Sequence, residues 1–424
     1  MQVTINTLSP TEREAAFEVP SNELEPHFDL AYDKFRPKAE LKGFRKGKVP
    51  LPMIKQLYGE AIEHDALDEI ANTLYRKAME ERNIQPIGTP SMVDLDFKRK
   101  QHLRFTVKYE VKPEIILGDY KGLAVEKPIH TVTDAEVNDE LHNLRKVNST
   151  NTDAALVTDN EHVVMANVQE LDDSGTPLIG KKTSDARFYL ADPALAPEIR
   201  EALKAAKVDE TYRVQYESNH ENHTHKHHFD ITVTKVQKVD LPPFDETLVK
   251  KLTGDKVASP EEFRKEIRAD LEKYWEEQAN ARVNDTIANN LVRSHDFPVP
   301  ESIVEAFLKS FVEDIKSRSR DRRLPADFNE QKFRSENREY ATWQAKWMLL
   351  KEAIAEKENL TVTDDDLATV AEQEASRIGI DKTRLLDYYR RSNTASERLI
   401  SDKVMALLRS HAKVHEKVIE EKIA

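Results

Sequence analysis

The chain has 424 residues, a formal net charge of −13 and no cysteine. That length holds about two to four domains, each large enough for its own core. The missing cysteine excludes disulfides, thiolate metal sites and thiol catalysis, and the acidic total disfavours general nucleic-acid binding, so any RNA contact is expected at a local basic patch. Charged residues make up 33% and hydrophobic ones 39%, with ten glycines, a balance that fits a helix-rich protein with a large wetted surface. Met1 to Ile5 carries no basic segment leading into an apolar run, and no apolar stretch is long enough to span a bilayer. These features predict no signal peptide, no membrane partner and a cytoplasmic address.

Residues 2 to 8 alternate as a strand, Ser9-Pro10 makes a turn, and Ala15 to Val19 returns. Ser21 is placed to cap a helix that buries Leu24, Phe28, Leu30 and Ala31 and runs to about Phe35. Gly43-Phe44-Arg45-Lys46-Gly47-Lys48-Val49-Pro50 follows. Its glycines permit positive φ, and Pro50 stops a helix from running back through it. Phe44 is thereby set at a tip, with Arg45, Lys46 and Lys48 around it and Lys34, Arg36, Lys38, Lys42 and Lys55 close in sequence. Cations cluster in this way to meet phosphate or a carboxylate-rich surface, and an aromatic between them suggests an anchor. A solvated basic turn is the plainer alternative. Met53, Ile54, Leu57 and Tyr58 predict a short helix ended by Gly59. Ile62, Leu67, Ile70, Leu74 and Met79 predict a longer one ended by Pro86 and Pro90. Residues 93–97 and 103–109 alternate as two half-buried strands.

Pro113 to Pro128 reads as an extended connection, Thr133 to Glu136 as a capping box opening a helix to about Val147, and Ser149 to Thr152 as a polar hinge. The texture then turns to β. Strands are expected over 162–165, 187–190, 212–216 and 229–234, with one short helix over 198–206. His220 to His228 is histidine-rich, and alternation puts His223, His225 and His227 on one face of a strand, where imidazoles could take zinc, nickel or copper. No carboxylate or cysteine stands at structural-site spacing, so the expectation is a solvated hairpin and no resident metal.

From 243 onward the chain reads as helical nearly throughout. Ser259-Pro260-Glu261-Glu262 opens a helix with Phe263, Ile267, Leu271, Trp275, Ala279, Val283, Ile287 and Leu291 in steps of four. Each such step overshoots one turn by about 40°. The apolar stripe therefore spirals, and the helix must meet different neighbours at its two ends. Ile303 to Ile315 forms the next helix, and a further one carries Phe333, Tyr340, Trp343, Trp347, Met348 and Leu350. Thr363 to Asp366 caps another, ended by Gly379, and Thr394 to Glu397 opens the last. No nucleotide loop is present, so no cofactor is expected.

Gly43-Phe44-Arg45-Lys46-Gly47 followed by Pro50 resembles the ribosome-docking loop of bacterial trigger factor. Leu117-Gly118-Asp119-Tyr120-Lys121-Gly122-Leu123, Leu241-Pro242-Pro243-Phe244-Asp245 and Asp296-Phe297-Pro298-Val299-Pro300-Glu301 resemble further landmarks of that family, in its order. The resemblance is weakest over roughly 155 to 240. It implies a multidomain α+β fold: an N-terminal α+β ribosome-docking domain over 1–112, a linker and packing helix over 113–149, a small β-rich FKBP-like domain over 150–242, and an elongated all-α domain with arms over 243–424. The implied function is an ATP-independent chaperone that docks near the nascent-chain exit of the large ribosomal subunit, by protein and rRNA contacts, and holds nascent and unfolded polypeptides. A homodimer off the ribosome is also implied.

The family carries a prolyl isomerase in the middle domain. Such a site twists an X-Pro amide, against a barrier of about 18–20 kcal/mol, inside a water-poor aromatic pocket. Phe188 and Phe229 keep two aromatic positions, but Ile199 stands where the family places the aromatic floor, Glu198 replaces the preceding glycine, and Glu217 to His228 is too short for the usual flap. Weak or absent isomerase activity follows. A prolyl isomerase with helical adaptors is the alternative to the chaperone. A periplasmic chaperone-isomerase is disfavoured by the missing signal peptide.

Overall fold

The computed structural model describes residues 1–220, 223–325 and 327–419, with the side chains of 218–220, 223–226 and 393 outside that description. The chain divides into two compact units, Met1–Lys127 with Ala281–His415, and Pro128–Asn280 with the chain end from 416.

In the first unit, β1 (Gln2–Thr7), β2 (Glu12–Pro20), β3 (Ile87–Lys98) and β4 (His102–Glu110) form an antiparallel sheet in the order β1-β2-β4-β3. Alternation decides which face is buried. Ala15, Phe17 and Val19 on β2 and Leu103, Phe105, Val107 and Tyr109 on β4 point inward, and Phe17 stacks on Phe105 with centroids 4.4 Å apart. Each such large side chain withdrawn from water contributes about 1.5–3 kcal/mol. Helix α1 (Ser21–Phe35) leads to a 3₁₀ turn at Arg36–Lys38 and then to α2 (Leu51–Glu81), whose Leu67, Ile70, Ala71, Leu74, Tyr75, Ala78 and Met79 cover the sheet.

The helix expected to stop at Gly59 does not stop. α2 runs unbroken for 31 residues. Gly59 is there for closeness of approach, because a Cβ on it would lie 2.8 Å from Arg99 Nη2 and 3.2 Å from the Tyr32 hydroxyl. Ser21 is the first helical residue of α1 rather than its cap, which is Pro20.

The helical part of this unit comprises the end of α6 (Pro260–Ser294) with α7 (Glu301–Arg318), α8 (Glu330–Lys357), α9 (Asp364–Ile378), α10 (Lys382–Arg391) and α11 (Asn393–His411). Its core joins Val283, Ile287 and Leu291 to Val304, Leu308, Leu350, Ile354, Val404 and Leu408. The sheet domain is latched to it. Helix α7 has no side-chain cap of its own. The Glu110 carboxylate at the end of β4 accepts instead from the N–H groups of Glu301 and Ser302, each at 2.9 Å, and from the Ser302 hydroxyl. Two orphan amides at a positive helix end thereby gain an anionic acceptor. Lys112 pairs with Glu352 at 2.5 Å.

In the second unit, α3 (Asp134–Val147) opens on the expected capping box of Thr133 and Glu136. Val137 and Leu141 pack with Val249 of α5 (Glu246–Thr253) and with Phe263 and Ile267 of α6. The two ends of α6 thus serve different cores, as its spiralling stripe requires. The β-rich middle holds β6 (Thr150–Ala154), β7 (His162–Leu171), β8 (Pro177–Tyr189), β9 (Thr211–His220) and β10 (His223–Asp240), with the short α4 (Pro197–Ala202). Its order is β6-β10-β7-β8, with β9 also on β10.

Three differences from the sequence reading have one cause, partners distant in sequence. Most of the hinge expected over Ser149 to Thr152 belongs instead to the strand Thr150–Ala154, because residues 236–240 offer a free edge. The end of the extended connection becomes β5 (Ala124–Ile129), and the last described residues form β11 (Lys413–Val418) rather than helix, because the two pair.

Candidate functional site

The loop between α1 and α2 is pinned at its stems and open at its tip. Ala39 and Val49 are fully buried in a cluster with Tyr32, Ile54 and Ile62. Between those stems the backbone folds on itself: Gly47 N–H donates to the Ala39 carbonyl at 3.1 Å, Phe44 N–H to Leu41 at 3.0 Å and Lys48 N–H to Arg45 at 2.9 Å. Gly43 and Gly47 take φ of 98° and 76°, conformations that an L side chain resists. At Gly47 a Cβ would also stand 3.2 Å from the Pro37 carbonyl oxygen. Pro50 caps α2 in extended backbone. Phe44 is left 39% exposed although its neighbours at the stems are buried. Arg45, Lys46 and Lys48 are exposed around it.

The local charge is smaller than the sequence suggests. Lys46 pairs with Glu40 at 2.6 Å, Lys34 with Glu69 at 2.5 Å, and Lys55 with Asp29 at 2.6 Å. Lys46 holds the Glu40 carboxyl, and Lys34 the Glu69 carboxyl, below the usual range. These carboxylates come from the α1–α2 region itself, so the basic run reads more cationic in sequence than it is in space.

Beneath the loop lies a polar group that the sequence reading missed. Glu63 is 9% exposed. It accepts from the Tyr32 hydroxyl and from Arg99, whose Nε lies 2.6 Å from Oε2 and Nη2 3.1 Å from Oε1. Burial, and then the bond to Glu63, push the Tyr32 phenol up to about 12. Arg99 stands 36 residues from Glu63 in sequence, so the one local signal was a mid-helix glycine at 59.

In the middle domain, Phe188, Ile199 and Phe229 are brought together in one cluster with Val164, Leu190, Leu203 and Ile231. Ile199 is buried at the helix start and the two phenylalanines are half-buried. β9 and β10 pair directly from His220 opposite His223, so two residues join them. The side chains of His223 and His225 lie outside the described residues. The His227 ring stacks on Tyr216 at 4.7 Å and on Phe229 at 6.0 Å. Among the described residues no group of three or more histidine or acidic side chains is placed to hold a metal, and no helix is long and apolar enough to cross a membrane.

The helical domain carries a partly open aromatic row. Phe307, Phe311, Tyr340 and Trp343 follow one another across α7 and α8 with centroids 6.4, 5.6 and 6.0 Å apart. Tyr340 is 53% exposed, whereas Trp347 is buried in the core.

Family models for the bacterial trigger factor protein and for the trigger factor C-terminus match residues 1–144 and 259–410. Trigger factor of Salinibacter ruber is 32% identical over 99% of this chain and 96% of its own length. The chain belongs to the trigger factor family. Trigger factors of Prosthecochloris aestuarii and Chloroherpeton thalassium are each 28% identical, over 97% and 98% of this chain. A solved trigger factor chaperone, described under promiscuous substrate recognition in folding and assembly, superposes over 97% of this chain with a TM-score of 0.53 at 19% identity, which shows the fold. The function that goes with trigger factor membership is that of a ribosome-associated chaperone for newly made chains.

Proposed function

We propose that this chain docks near the nascent-chain exit of the large ribosomal subunit through Gly43 to Pro50, with Phe44 as the anchor. The observation that carries this reading is the exposed Phe44 on a loop whose two stems are anchored by the buried Ala39 and Val49. A solvated turn does not require two positive-φ glycines, three internal backbone bonds and a buried seat. Arg45, Lys46 and Lys48 then meet acidic protein surface at the rim, and rRNA phosphate where it lies within reach. The partial neutralisation of the surrounding lysines supports a protein contact as the main one.

The division of labour follows the fourfold reading: docking over 1–112, connection over 113–149, a degenerate isomerase over 150–242 and client holding over 243–424, in the cytoplasm. Off the ribosome, the same exposed surfaces favour a homodimer. Weak isomerase activity is supported by an aliphatic Ile199 among Phe188 and Phe229 and by β9 and β10 pairing along their length up to His220 and His223. The test is co-sedimentation with ribosomes. The variant carrying Phe44→Ala, Arg45→Ala and Lys46→Ala loses binding with its helical content unchanged, and unchanged co-sedimentation refutes the docking role.

A further inference from the structure

Two features of α2 each weaken the fold and stand together. A glycine inside a helix costs stability relative to alanine, and a buried carboxylate is costly unless fully paired. Gly59 and Glu63 lie one turn apart, and the same two side chains explain both. Arg99, from the turn between β3 and β4, crosses α2 at Gly59 to reach Glu63. Tyr32, from α1, reaches Glu63 past the same glycine. The group closes one side of a cleft lined by Phe28, Asp29 and Lys55, where the Lys55 ammonium lies 5.1 Å over the Tyr32 ring. Tyr32 is the link to the loop, because its ring also lies in the cluster that seats Ala39 and Val49.

We propose that Glu63, held by Tyr32 and Arg99 across Gly59, is a positioning residue for docking. It fixes the crossing of α1 and α2, and with it the direction in which the stems at Ala39 and Val49 hold Phe44. This rests on the reading of the loop as the ribosome anchor. The chain accepts two local losses at one point, which is expected where geometry rather than stability is being set.

The experiment is ribosome co-sedimentation of the full chain at several salt concentrations, with thermal melting alongside. The variants are Gly59→Ala, Arg99→Ala and the double variant. Gly59→Ala crowds Arg99 and the Tyr32 hydroxyl where they reach Glu63, so a merely structural role shifts melting and leaves the binding of the folded chain at the parent's. The positioning role weakens binding by about tenfold in each single variant, measured at a temperature where the melting curves show every variant fully folded. The salt dependence is retained, because the loop cations are untouched. The double variant binds no more weakly than the worse single one, since both remove the same brace. Glu63→Gln, which keeps an acceptor, recovers part of the affinity that Glu63→Ala loses. Parental binding by Gly59→Ala, or losses that multiply in the double variant, overturn the proposal. If the loop triple variant itself still co-sediments, the docking reading falls and takes the brace with it. If that variant loses binding while Gly59→Ala docks like the parent, only the brace falls.

Discussion

The backbone N–H of Gly118 donates to Nε2 of His295 at 3.0 Å. The other ring nitrogen, Nδ1, lies 2.8 Å from the Leu291 carbonyl, so the ring is neutral with its proton on Nδ1. Gly118 belongs to one of the linker landmarks and His295 immediately precedes the Asp296 to Glu301 landmark. Tyr120 and Phe297, from the same two segments, share one core. Stretches 177 residues apart are thus two sides of one joint.

His295→Ala removes the buried ring that accepts from Gly118, an exposed residue whose N–H can turn to water, so the hydrogen-bond loss is about 0.5–1.5 kcal/mol. His295→Gln, which keeps an acceptor at similar reach, loses less. Thermal melting of the two variants checks this, and equal melting of His295→Ala and the parent contradicts it.

The loop was legible because everything that shapes it is local: two glycines, a proline and a run of cations within eight residues. The brace was not, since Glu63 reads as an ordinary polar helix position until Arg99 arrives from another hairpin. The α6 stripe was legible for a different reason. Its step of four fixes a spiral whatever the neighbours are. The strands β5, β6 and β11 were hidden because their pairing partners lie far off in sequence, and β6 and β11 are also polar in composition.

Asp366 gives an acid-side signature. The Lys403 ammonium, and then the Thr363 backbone and hydroxyl, lower its carboxyl from 3.8 to about 2. A group whose folded value is depressed adds stability above its unfolded value and loses it as the pH falls through the folded one. The Asp366 contribution is therefore intact near pH 5 and disappears between about pH 4 and pH 2. Hydrogen-exchange protection across the start of α9, corrected for the intrinsic rate at each pH, should fall over that window. Lys403→Met should flatten the dependence, and an identical profile in that variant would show that Lys403 is not the cause.

The middle domain should isomerise prolyl bonds slowly. The barrier of about 18–20 kcal/mol is lowered by a dry pocket that twists the amide, and the side chain packed with Phe188 and Phe229 at the proposed remnant site is the aliphatic Ile199. The full chain, assayed on a short prolyl peptide beside an ordinary FKBP-type enzyme, should be slower by orders of magnitude. A comparable rate would restore the isomerase as the main activity.

The last prediction concerns where clients are held. Removing residues 1–112 is a poor test, because Glu110 caps α7 and Ile87 packs against the helical core. Point changes in the intact chain are cleaner. Tyr340 at 53% exposure, Tyr388 at 64% and Ile380 at 46% are large apolar side chains of the helical domain that the core leaves wet. Exposed apolar area covered by a client contributes about 25 cal/mol per Å², and patches of this kind mark interaction sites. Each patch is small, so a client held there would bind weakly and leave without nucleotide. Tyr340→Ser, Tyr388→Ser and Ile380→Ser together should reduce suppression of aggregation of a denatured client several-fold. Melting should fall modestly, because Tyr340 stacks on Phe311 and Trp343 and such aromatic pairs are worth about 0.5–1.5 kcal/mol each. Ribosome co-sedimentation should hold, since the loop is untouched. Full suppression by the triple variant would move the holding surface elsewhere, to the half-buried Phe307 and Phe311 or to the β-rich middle.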